Sequence, residues 1–142
     1  MAANEEHVNV SSFKVTLDGI ADSPYESVAG IGIDIEDLPF QEGNNQIKNK
    51  SGRYTARDIT ISRRFKKDKA LADWVKQTKQ GKMTRKSGSV ILLNDDNSQV
   101  ARFNFFEAWP KSWSGPTLSK DRAGNETLME SVVLSVADVE LA

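Results

Sequence analysis

The sequence predicts an α+β fold that is mainly antiparallel β: a barrel or sandwich of about six strands with one flanking α-helix. Two observations predict the strands. Apolar side chains recur at every second position in several short segments, and Gly, Pro, Asn and Asp cluster between those segments. A third observation predicts the helix, because apolar residues take three- and four-residue spacing between Asp68 and Gly81.

Residues 1–11 read as a flexible N-terminal tail, and the whole chain as one domain. Phe13, Val15 and Leu17 alternate with Lys14, Thr16 and Asp18 until Gly19. A second strand runs over 28–36, with Ile31, Ile33 and Ile35 on one face and Asp34 and Glu36 on the other. Residues 39–54 contain Pro39, Gly43-Asn44-Asn45 and Ser51-Gly52 but few apolar side chains, which suits a long loop or an extended hairpin tip. A third strand covers about 56–65, where Ile59 and Ile61 alternate with Thr60 and Ser62.

In the helix, Asp68 is the expected N-cap, and Ala70, Leu71, Trp74, Val75 and Thr78 form the apolar face. Gly81 ends it, and Lys76 and Lys79 suit the negative end of its dipole. Strands over 88–94 and 99–109 flank the turn Asp95-Asp96-Asn97-Ser98, and Pro110 with Gly115-Pro116 closes the second arm. A last strand covers about 127–139. Leu71, Trp74, Phe103, Phe105, Trp109 and Trp113 are the expected core anchors. The spacing of Trp109 and Trp113 also suits stacking on sugars or bases.

Composition removes several functions. The 142 residues include no cysteine, which excludes disulfides, Cys-based zinc sites and thiol nucleophiles. One histidine, His7, lies in the expected tail, where nothing orients it as a general base. Asp95-Asp96-Asn97 lacks the central glycine and distal glutamate of a calcium loop. No Gly-rich phosphate loop follows a strand, so no enzyme and no cofactor is expected. The longest aliphatic run is Val90-Ile91-Leu92-Leu93, too short to insert in a membrane, and the polar N-terminal residues fit synthesis in the cytoplasm.

Charge is segregated along the chain. The net charge is only −1, from 19 Lys+Arg and 20 Asp+Glu. Residues 1–45 nevertheless hold nine acids and one base (−8), residues 46–86 fourteen bases and three acids (+11), and residues 87–142 eight acids and four bases (−4). Three outcomes fit this pattern: neutralisation inside one monomer, binding of an external polyanion, or head-to-tail association of copies.

An ordered series of segments resembles a known family. It comprises Asp58-Ile59-Thr60-Ile61-Ser62-Arg63-Arg64, Leu71 and Trp74, Gly81-Lys82, and Arg85-Lys86-Ser87-Gly88-Ser89-Val90-Ile91-Leu92-Leu93. It continues with Val100-Ala101-Arg102-Phe103-Asn104-Phe105, Ala108-Trp109-Pro110-Lys111-Ser112-Trp113-Ser114-Gly115-Pro116, and Gly124-Asn125-Glu126 before a terminal strand. Over about 12–138 the chain is similar to the tail-tube proteins of T4-like contractile phages and of extracellular contractile injection systems. Glu107 stands where that pattern leads one to expect Asn.

The resemblance implies a structural protein whose first partner is itself. Six copies would form a ring, and rings would stack into a hollow tube inside a contractile sheath, nucleated by a baseplate and spike and closed by tube-terminating proteins. DNA or a protein effector would pass along the bore, in a virion tail or an injection particle. The alternatives are a hexameric cargo-carrying ring or effector adaptor of a type VI-like secretion system, and a nucleic-acid-binding domain using the basic block. For the tube, Arg57, Arg63, Arg64, Lys66 and Lys67 are expected to meet Asp34, Glu36, Asp37 and Glu42 of a neighbouring copy. Reversing Arg63 and Arg64 to Glu is then expected to impair assembly without unfolding the monomer, and the 39–54 segment is expected to make the axial contact.

Overall fold

The computed structural model describes residues 10–20, 24–43, 46–65, 69–118, 120 and 128–142. Its elements follow in the order β1 (Ser12–Leu17), β2 (Ser27–Ala29), β3 (Ile33–Glu42), β4 (Gln46–Ala56), β5 (Ile59–Arg64), α1 (Ala70–Lys79), β6 (Lys86–Leu93), β7 (Gln99–Ser114), β8 (Met129–Ser135) and β9 (Asp138–Leu141). The mainly antiparallel α+β architecture is as the alternation predicts. Among the described residues nine strands replace the expected six, for three local reasons.

The 28–36 segment is two strands, because Gly30 turns the chain at φ +93. A Cβ there would stand 2.2 Å from the Asp58 carbonyl oxygen, so only glycine fits this approach. Of the two readings of the 39–54 segment, the structure has the extended hairpin rather than the long loop, since β3 and β4 pair from Ile33↔Ala56 to Glu42↔Gln46. The third reason is a break at Val136-Ala137 between β8 and β9. There the ladder is nearly continuous: Trp109↔Ser135 and Phe106↔Asp138 keep one register, and the Ala137 N–H donates to the Phe106 carbonyl at 2.9 Å.

Seven strands form one sheet in the order β1-β6-β7-β8-β5-β2, with β9 also on β7. Among the described residues β1 and β2 are its ends, so the sheet wraps the core without closing into a barrel. β7 joins its halves. Up to Ala108 it pairs with β6, and from Trp109 to Ser114 with β8. Pro110 does not end this strand as expected; it sits at a bulge, where the missing N–H is tolerated. A second irregularity precedes it at Glu107, whose φ of +52 lies in the left-handed region.

The core draws on both halves: Val15 and Leu17 of β1, Ile59 and Ile61 of β5, Val90 of β6, Phe105 of β7, and Val132 and Leu134 of β8. α1 adds Leu71 and Trp74, and the Trp74 indole donates to the Thr84 carbonyl at 2.7 Å. Residue 69 holds the N-cap position without a side-chain bond, and the expected cap Asp68 lies outside the described residues. At the other end, Gly81 N donates to Thr78 O and Lys82 N to Gln77 O, the paired bonds of a Schellman stop. Of the other expected anchors, Phe103 packs on the core and Trp109 is half-buried. Trp113 is corrected: it is 39% exposed and lies at the surface.

Inside this apolar core sits an ion pair. Arg63 and Glu130 face each other across β5 and β8, 1% and 4% exposed, with Nε 2.5 Å from Oε1. The Trp113 indole donates to the other carboxylate oxygen, Oε2, at 3.2 Å. Arg63 is therefore corrected from a partner of another copy to an internal residue. Its reversal to Glu sets two carboxylates together in the core and is expected to unfold the monomer rather than spare it.

Removing one member of the pair strands the other, so Arg63→Ala is expected to cost about 3–5 kcal/mol. Arg63→Met with Glu130→Leu is expected to recover most of that loss, as read from urea midpoints. At position 107, asparagine tolerates positive φ better than glutamate, so Glu107→Asn is expected to gain roughly 0.5–1 kcal/mol on the same assay. A loss would contradict the strain assigned to this bulge.

Candidate assembly surfaces

The β3–β4 hairpin forms a separate two-stranded sheet. An isolated hairpin of this kind is marginal in water and needs another surface. Its side chains are nearly all exposed, including Ile35 at 63%, Ile47 at 71% and Tyr54 at 57%. Ile33 faces Ala56 and Ile35 faces Tyr54 across the pair, so these apolar groups gather at the base of the hairpin. Ile33, Ile35 and Tyr54, with Ser51, Gly52 and Asp138, border an open cavity of about 370 Å³. The alternation at 33 and 35 is a real strand signal, but its apolar face does not enter the core. Sequence reasoning also missed Ile47 and Tyr54, which stand isolated among polar neighbours.

The boundary between the −8 and +11 blocks falls at the hairpin tip, between Gly43 and Gln46. Antiparallel pairing thus lays acidic β3 directly beside basic β4. Asp34 meets Arg57 within the chain: Nε and Nη2 donate bonds of 3.0 and 2.7 Å to its two carboxylate oxygens. The hydrogen bonds from Arg57 hold the Asp34 carboxyl below its usual range, and the same contact raises Arg57. Arg64 bonds Glu26 at 3.0 Å, and Lys50 lies 5.7 Å from the Phe40 ring centre. Part of the segregated charge is therefore neutralised inside one copy.

Glu36 and Asp37 are exposed on β3. The Glu42 side chain, Lys66 and Lys67 lie outside the described residues. Among the described residues, the structure joins Asp34 to Arg57 but gathers the predicted acids and bases into no single cluster.

Two further surfaces complete the set. Trp109, Pro110, Lys111, Ser112 and Trp113 border an open groove of about 360 Å³ against Val75, Thr78 and Lys79 of α1. The rings thus meet the helix edge rather than forming a flat sugar platform. At the β6–β7 turn, Asn94 Oδ1 accepts from the Asp96 and Ser98 N–H groups at 3.1 and 3.3 Å. Hydrogen bonds from Ser98 hold the Asp96 carboxyl below its usual range. Among the described residues, no group of three His, Asp or Glu is placed to hold a metal, and no helix is long and apolar enough to cross a membrane.

Known proteins share this architecture. A chain of an extracellular contractile injection system, the PVC sheath-tube complex in its extended state, is 21% identical with a TM-score of 0.85, over 98% of this chain and 93% of that one. A chain of the anti-feeding prophage tube-terminating cap is 22% identical with a TM-score of 0.86, over 100% and 95%. Hcp1 from Flavobacterium johnsoniae superposes less closely: 16% identity and a TM-score of 0.62, over 92% and 94%. No curated protein sequence matches the chain. The family model of the T4-like virus tail tube protein gp19 matches residues 9–140. With nearly its whole length in that match, the chain belongs to the T4-like tail tube protein family.

Proposed function

We propose that this chain is the repeating subunit of the inner tube of a contractile phage tail or contractile injection system. Six copies close a ring, rings stack, and the bore passes DNA or a protein effector. The subunit acts as a structural part rather than as an enzyme, and is made in the cytoplasm before it joins the particle. The sheath, baseplate with spike, and terminating cap are its partners in the particle. Matches to chains in a sheath-tube complex, a cap and a baseplate support those partners.

The observation that carries self-assembly is the β3–β4 hairpin. It exposes Ile35, Ile47 and Tyr54 on a two-stranded sheet that is marginal alone and has no core of its own in which to bury them. A second copy supplies the missing surface, and a heterologous contact of this kind closes into rings or extends into filaments. Glu36 and Asp37 flank the apolar contact, and Asp34 and Arg57 can exchange their internal partner for one in the next copy. The runner-up, a cargo-carrying ring or adaptor, rests on the weaker superposition with Hcp1.

Electron microscopy of the purified chain is expected to show long hollow tubes. Isolated rings would favour the runner-up, and monomers alone would refute self-assembly. Ile35→Asp with Tyr54→Asp is expected to raise the protein concentration needed for tubes by about tenfold or more, equivalent to at least 1.4 kcal/mol per contact. Circular dichroism should be unchanged, since both side chains are exposed. Replacing residues 41–47 by a short glycine turn is expected to leave rings that do not stack; tubes of normal length would assign the axial contact elsewhere.

A further inference from the structure

The β3–β4 hairpin meets the rest of the subunit through two short legs. Residues 30–32 lead in from β2, and Arg57-Asp58 lead out to β5. Among the described residues the hairpin pairs with no strand of the main sheet. The legs pack on each other: Gly30 abuts the Asp58 carbonyl, and the Arg57 N–H donates to the Gly32 carbonyl at 2.9 Å. Lys111 of β7 bonds the Asp58 carboxylate at 2.9 Å and fixes the second leg to the main sheet. With glycine at 30 and 32, the first leg is the one whose backbone turns most freely.

One side-chain contact spans this pivot. The Arg57 chain passes over Gly32, where a Cβ would stand 3.2 Å from Cδ and 3.4 Å from Nη1. Its guanidinium then grips both carboxylate oxygens of Asp34, the second residue of β3. Arg57 and Asp34 are 57% and 63% exposed, and an ion pair so open to water adds little to stability. What a two-bond contact does supply is direction, because it fixes the angle between the groups it joins.

The arm is held clear of a surface that it can cover. Ile33, Ile35 and Tyr54 line the hairpin side of the open cavity of about 370 Å³. The main sheet contributes Asp138, the first residue of β9, to the opposite rim. A swing about the glycine leg toward β9 closes this space and takes the three apolar side chains out of water within one subunit.

We infer that the hairpin is a hinged arm with two positions, and that Arg57 is the positioning residue that latches it outward. Latched, the arm offers Ile35 and Tyr54 to the next copy. Unlatched, it folds toward β9 and hides them, so the free subunit withholds its own contact surface. The apolar face thus has one cover in the free subunit and another in the tube. The effect on growth rests on the tube reading above, whereas the latch is a property of the single subunit.

A chain without cysteine allows disulfide trapping. Ser51→Cys and Asp138→Cys, introduced together, place thiols on the two rims of the cavity. Diamide oxidises them in unassembled subunits, and a rate independent of dilution identifies the disulfide within one copy. Adding Arg57→Gln is expected to raise that rate at least threefold. Adding Asp34→Arg with Arg57→Asp instead is expected to return it to the starting value, because the exchanged pair restores the latch. Salt at about 1 M is expected to speed trapping in the parent but not with Arg57→Gln, a response that a merely structural arginine would not give. Equal rates with and without Arg57, or no disulfide in any variant, would overturn the inference.

Tube growth is followed separately by light scattering, on subunits without added cysteines. Arg57→Gln is expected to slow growth at least threefold, and the exchanged pair to restore it. Growth at the normal rate from Arg57→Gln would leave the tube reading intact and remove the latch from assembly. A parent chain that forms no tubes while the trapping pattern holds would refute the tube reading and leave the latch standing.

Discussion

β7 is the constraint on which the structure depends. It is sixteen residues long, and no flat strand of that length could serve both half-sheets. The irregularity at Glu107 and the bulge after Pro110 re-aim it, so that its first part pairs with β6 and β9 and its second with β8. That bend brings Phe105 and Leu134 into one core and leaves the β8 side of the sheet with a separate outer face. The left-handed glutamate is the local cost of this geometry.

The buried Arg63–Glu130 pair follows from the same arrangement. The two residues face each other by register, and the Trp113 indole, beyond the bulge of β7, closes the remaining carboxylate oxygen. A pair of this kind adds little net stability over an apolar alternative, but losing one member is costly. It therefore ties the end of β7 to β5 and β8 in one alignment.

Local chemistry made much of the fold legible in the sequence. Period-two alternation marked β1 and β5, and the turn at Asn94–Ser98 was visible from its side chains. The helix face was readable from Leu71 and Trp74. What was lost depended on distant partners. Polar β4 looked like a loop because its strand identity comes from pairing with β3, not from a buried face. Arg63 looked like a surface base because nothing nearby in sequence announces Glu130, sixty-seven residues away. Trp113 looked like core because aromatic size signals burial only on average.

The charge blocks show the same division between what sequence fixes and what pairing decides. Segregation along the chain suggested that opposite signs meet between copies, yet the block boundary is the hairpin tip. Folding back brings the two signs side by side, as at Asp34 and Arg57, before any neighbour arrives. The hairpin then presents near-neutral polar edges around exposed Ile35 and Tyr54, so in the contact proposed between copies burial of apolar area would supply most of the attraction and charge would set alignment. Such a contact tolerates salt better than one made of bare ion pairs.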